Sequence, residues 1–233
     1  MADRVYLSIW LQDFTPENML EHWRRAMEAF PASEIAPGVS LAIYPFDWSE
    51  TPVLERSFGG ETDAGELATL SSEFLHDDYA YEAEIRWDLW LPASGGAESA
   101  PARVVEESEF EEREREEEGY VESLGGNDWQ RTPSTVAIAC MGPGFAPEES
   151  GDRPQILIDF GLDAPFLPME EDEAEEAGLD MDEADVRGRE NLQQLVEFVH
   201  RLDEILPVSR RLLWCESGEN LAQKIMSAWH LRL

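Results

Sequence analysis

Lysine is all but missing from this chain: Lys224 is the only one in 233 residues. Sixteen arginines and four histidines complete the basic side chains, against 51 acids, for a formal net charge of −34. A chain so short of cations is not expected to grip bare nucleic acid or an anionic membrane, whose phosphates repel it. Cysteine is also scarce. Cys140 and Cys215 make no disulfide framework, and reduced thiols are expected. No apolar run approaches the roughly 20 residues of a membrane-spanning helix. The opening Met-Ala-Asp-Arg-Val lacks the basic region and apolar core of a secretory leader. A cytoplasmic location is the expectation.

What remains is the composition of a folded chain. Apolar residues make up 42% and aromatics 10%, with eight tryptophans, well above the level at which a chain cannot form a core. By length it is one large domain or two small ones. Thirty-five glutamates to 16 aspartates, with arginine in place of lysine, fit a compositional bias better than salt adaptation.

The acid is unevenly placed. Pro92 to Asn127 carries eleven glutamates and three arginines, with glycine pairs near both ends. Within its run from Glu106 to Glu118 only Phe110 is available to bury. Glu170 to Asp185 adds ten acids and no base. Neither stretch has the apolar surface to offset the entropy lost on ordering. The organisation read from this is a unit at 1–91, a mobile acidic insertion at 92–127, and a second unit at 128–233. The second unit contains an acidic loop at 169–186, and the two units are either separate or one continuous domain.

Periodicity fills in the elements. Val5, Leu7, Ile9 and Leu11 alternate with Tyr6, Ser8, Trp10 and Gln12, the period of a strand. Met19, Leu20, Trp23, Met27 and Phe30 share one face of a helix opened by Thr15-Pro16. Strands follow at 39–44 and 53–58, then a helix whose start is marked by Asp63 and Glu66. A long strand runs from Tyr81 to Trp90. This β-α-β-β-α-β order is ferredoxin-like, with the second strand at a sheet edge where Pro45 is tolerated. The second half reads β-β-α-β-α, for an α+β protein of mostly antiparallel sheet with helices packed on it. With the insertion removed, strands 80–91 and 129–141 stand like the arms of a hairpin.

No motif rises to a specific chemistry. Asp180 to Asp185 begins like a calcium loop but has Asp185 where the sharp turn needs glycine and Asn191 where a bidentate glutamate should close it. His76, Asp77 and Asp78 form a candidate metal or general-base group, although a histidine in a last helical turn also suits the helix dipole. Cys215 precedes a helix start, but no Cys/His signature accompanies it. Gly142-Pro143-Gly144 reads as a plain turn. The more diffuse signal is the polar side of the sheet, where Tyr6, Trp10 and Trp90 would stand among Glu82, Glu84, Arg86 and Asp88 as a binding surface. Material in the second half is sufficient to cover that side, and covering is the favoured arrangement.

The function expected is therefore non-catalytic: an acidic binding or regulatory protein that engages a basic protein partner and needs no cofactor. Two alternatives stand beside it, a metal-assisted hydrolase using carboxylates and His76, and a small-molecule sensor on the sheet face.

Overall fold

The computed structural model describes residues 2–60, 63–93, 129–146 and 153–230. From residue 94 on, the acidic stretch expected at 92–127 lies outside the described residues. Among the described residues seven strands form: β1 (Arg4–Leu11), β2 (Gly38–Pro45), β3 (Leu54–Gly59), β4 (Tyr79–Pro92), β5 (Trp129–Met141), β6 (Ile156–Leu162) and β7 (Val208–Cys215). All pair antiparallel in one sheet of order β3-β2-β4-β5-β6-β1-β7.

The α+β class is present; the ferredoxin-like strand order is not. In that order β1 would lie beside β4, inside a first-half sheet. The free edge of β4 is instead taken by β5, in a ladder running from Ala80↔Met141 to Pro92↔Trp129. β1 is carried to the far side of the sheet, where Tyr6 pairs with Asp159 of β6 and Trp214 of β7. The edge expected for the second strand belongs to β3, and β2 is flanked on both sides. Alternation makes a segment a strand, but long-range packing chooses its neighbour.

Helices α1 (Met19–Ala29), α2 (Ala64–Ser72), α4 (Met181–Ile205) and α5 (Leu221–His230) pack on one side of this sheet, with a 3₁₀ turn at Ala164–Phe166. Spacing explains α1: Met19, Trp23, Ala26 and Met27 are all buried, and the Trp23 indole N–H donates to Ile138 O at 2.8 Å. Trp87 of β4 is fully buried, its ring centroid 5.5–5.8 Å from those of Phe30, Phe160 and Phe166. Phe198 of α4 closes on Phe30 edge-to-face at 5.1 Å. One apolar core thus draws on both halves of the chain.

Residues 169–186 are not the acidic loop expected from their composition. They hold α3 (Glu171–Ala177), closed by Gly178 at φ 64°, and the first turns of α4. Asp180 caps α4 by accepting from Glu183 N–H at 3.0 Å, so its pattern with Glu183 is a helix start, not a failed calcium loop. Ala174, Leu179 and Ala184 are buried and pin the stretch down, while acids in the first turns suit the helix dipoles.

Candidate binding face

Strand alternation puts Tyr6, Ser8 and Trp10, Ser40 and Ala42, and Glu82, Glu84 and Arg86 opposite the helices. Among the described residues no helix covers that side. Among the described residues the second half covers that side only at one corner, with Phe145 and Ala146; β5, β6 and β7 widen the sheet, and α4 and α5 join α1 and α2 on the opposite side. Cross-strand register aligns Ser40, Glu84, Ala137, Asp159, Tyr6 and Trp214 in one row. The next row runs Glu55, Ala42, Glu82, Ala139, Leu157 and Ser8. With strands about 4.8 Å apart, carboxylates stand roughly 10 Å apart on a floor of alanine and serine.

The two ends of this face differ in charge. At the β1–β6–β7 end the chain supplies its own cations. Arg4 donates to Asp159 at 2.7 Å, and the Arg210 guanidinium lies 3.6 Å over the Trp10 ring. Tyr6 stacks on Trp214 with centroids 4.7 Å apart, and Trp214 Nε1–H donates to Ser8 Oγ at 3.0 Å. At the β3–β2–β4 end, Glu55, Glu82 and Glu84 form no ion pair with a described residue.

Glu82 is the most perturbed carboxyl of this group. Burial first, then the charges of Glu84 and Asp159, push it up to about 7. A small second apolar cluster lies on this face two residues along β4, made by Ala80, Met141, Phe145 and Ala146 with Tyr44 and Leu157. Tyr44 feels the same charges. Burial and then Glu82, Glu55 and Glu84 raise its hydroxyl above the ordinary range.

Of the seven residues singled out in the sequence, Tyr6, Trp10, Glu82, Glu84 and Arg86 share the open face. Asp88 and Trp90 do not, because β4 outruns β2 there and other segments wrap its edge. Asp88 is buried and accepts from Ser33 Oγ–H, from Glu34 N–H at 3.0 Å and from Ile35 N–H at 3.4 Å, holding the loop between α1 and β2. Trp90 exchanges backbone hydrogen bonds of 2.8 and 2.9 Å with the Asn191 side chain of α4, under the Arg187 guanidinium at 3.9 Å. Beside it lies a cavity of about 340 Å³ lined in part by Trp90, Trp129, Pro165, Asn191 and Lys224. Lys224 Nζ donates there to the buried Asp163 at 2.7 Å, which also accepts from Asp3 N–H.

His76, Asp77 and Asp78 do converge: their ligand atoms lie within 4.8 Å of one another. His76 Nδ1 sits 3.2 Å from Asp77 and against Asp78, with its ring stacked on Tyr79 at 5.0 Å. One nitrogen and two oxygens are thus available to a divalent ion, from neighbouring residues at the surface. Both thiols point away from catalysis. Cys140 and Cys215 are buried, and burial pushes each above the ordinary thiol range, the reverse of an activated nucleophile.

Phe46 and Trp48, both exposed beside His76–Asp78, escaped the sequence reading. Tyr44-Pro45-Phe46-Asp47-Trp48, three aromatics in five residues around a turn proline, was the signal available. No protein-family model, no curated protein and no solved structure matches this chain.

Proposed function

We propose that this chain is a non-catalytic binding protein that receives a basic protein partner on the open face of its sheet. The observation that carries this is the trio Glu55, Glu82 and Glu84, gathered at one end of a face that no helix covers among the described residues and in no ion pair with a described residue, although Arg86 stands on the same face. A desolvated carboxyl beside like charges gains more than a solvated one from an arriving guanidinium or ammonium group. The net charge of −34 steers such a partner from a distance, at rates that fall with salt. Phosphate-bearing surfaces are repelled by the same field, so nucleic acid and anionic membrane are not the partners this reading selects.

The test is a calorimetric titration with an arginine-rich peptide. It compares the wild type, E82Q/E84Q, and E171Q/E175Q, whose two lost charges lie on α3. E82Q/E84Q is expected to weaken binding about tenfold, and the helix variant about twofold or less. Equal losses in the two variants would mean that affinity follows net charge and that the face is no site.

A second reading, small-molecule binding, has the cavity beside Trp90 behind it, since about 340 Å³ lies in the range of small-ligand sites. Saturable shifts of the Trp129 indole signal in an NMR fragment screen would support it; shifts spread over all tryptophans would not.

A further inference from the structure

The open face ends at a corner made of three turns: residues 46–53 between β2 and β3, residues 73–78 between α2 and β4, and residues 142–146 after β5. These turns are bonded to one another. Phe46 N–H donates to Asp78 O at 2.9 Å, Gly144 N–H to Asp77 O at 2.7 Å, Gly142 N–H to Tyr79 O at 2.8 Å, and Ala146 N–H to Phe46 O. Gly142 leaves no room for a side chain, since a Cβ there would collide with Asp77 O. The corner is therefore rigid, and its surface is built in one shape.

That surface is unusually apolar for so acidic a chain. Phe46, Trp48, Val53 and Leu75 are all exposed on these turns or at their ends, Phe46 by 55%. Trp48 is braced by Phe145 at 5.0 Å and Tyr44 at 5.1 Å, and Phe46 stands edge-on to Tyr79 at 6.4 Å. Phe46 also holds a left-handed backbone, φ 61°, which an aromatic side chain disfavours and asparagine or glycine accepts. The bonds of Phe46 N–H to Asp78 O and of Ala146 N–H to Phe46 O hold this backbone, but asparagine or glycine would keep them without a large exposed ring, and strain of this kind concentrates where a surface is used. Carboxylates lie close by: Asp78 in the turn bonded to Phe46 with Asp77 beside it, and Glu82 and Glu55 near enough to Tyr44, the neighbour of Trp48, to raise its hydroxyl.

We infer that this corner anchors the partner: Phe46 and Trp48 receive an apolar side chain of a basic segment, whose flanking arginines or lysines pair with Glu82, Glu55 and Asp77. The inference rests on the function proposed above and adds to it where the partner docks and what its basic segment must carry. Large aromatic side chains at the centre of an interface supply most of its affinity, while charges at the rim set orientation and rate.

Two peptides of equal charge separate the parts. Arg-Leu-Arg-Leu-Arg-Leu-Arg should bind the wild type about tenfold more tightly than Arg-Ser-Arg-Ser-Arg-Ser-Arg. Phe46→Asn and, separately, Trp48→Ser should bring that ratio close to one while leaving the serine peptide's affinity as it was. E82Q/E84Q should weaken both peptides alike. Phe46→Asn should melt no lower than the wild type, because asparagine accepts the left-handed backbone; the wild-type comparison needs no variant at all. Equal affinity of the two peptides for the wild type, or a leucine advantage that survives both corner variants, overturns the anchor alone. Binding of neither peptide overturns the underlying reading, and the anchor with it.

Discussion

The two faces of the sheet share one register and use it in opposite ways. Toward the helices, Val5, Leu41, Trp87, Ile138 and Ile158 are fully buried, and large side chains interlock across the strands. On the other side, the same strands carry Ser40, Ala42 and Ala137, half-buried, with glutamates between them. One face carries the stability of the fold, which leaves the composition of the other free of that demand. The second half of the chain contributes to both, since it adds three strands to the sheet and helices α4 and α5 to its covered side.

This contrast is broken most directly at Trp87. Trp87→Ala should cost about 3–5 kcal/mol in denaturant unfolding, whereas Glu84→Ala on the open face should stay within about 0.5 kcal/mol. Comparable losses would mean that the open face is part of the core. Asp88 sharpens the boundary, because alternation assigns it to the open face while its hydrogen bonds assign it to the loop after α1. Removing the carboxylate in Asp88→Ala should cost about 1–3 kcal/mol and speed amide exchange at Glu34 and Ile35. A neutral result would return Asp88 to the open surface.

Glu82 provides a prediction in pH. Its folded value of about 7 lies above the ordinary 4.5, so the folded state holds the proton more tightly than the unfolded state. Its contribution is therefore complete below about pH 4.5 and is lost as pH rises through 7. Glu82→Gln should match the wild type at pH 4 and exceed it by up to about 3 kcal/mol at pH 8. Glu171→Gln, on exposed α3, controls for general relief of repulsion. A wild type that gains stability over Glu82→Gln between pH 4.5 and 7 would reverse the sign. The smallest effect is expected at His76, which is more than half exposed. His76→Ala should change stability by less than about 0.5 kcal/mol, and a larger loss would make the group with Asp77 and Asp78 structural.

Legibility in the sequence followed the range of the interaction. The alternation of Val5 to Gln12 and of Tyr81 to Trp90, and the spacing of Met19, Trp23 and Met27, are local and were readable directly. Strand order was not, because nothing in Tyr6 or Trp10 says that Trp214 will be their neighbour. Composition misled at 169–186, where Ala174, Leu179 and Ala184 are too few to register in a charge count yet are each buried. Parity found Glu82, Glu84 and Arg86 on the open face but carried Asp88 and Trp90 along with them, since it cannot see a ladder end. Phe46 and Trp48 were missed because turn aromatics have no period; only their density was visible.

The central claim concerns place: a basic partner meets the open face and not the acidic helices. Amide chemical-shift mapping of the labelled protein with the arginine–leucine peptide tests it directly. The account predicts saturable shifts at Ala42, Glu55, Glu82 and Glu84 that run on to the Phe46–Trp48 corner, fading toward Arg4 and Asp159 where the chain's own arginine is already in place. Shifts centred on α3 and the first turns of α4, with β2 and β4 undisturbed, would contradict it.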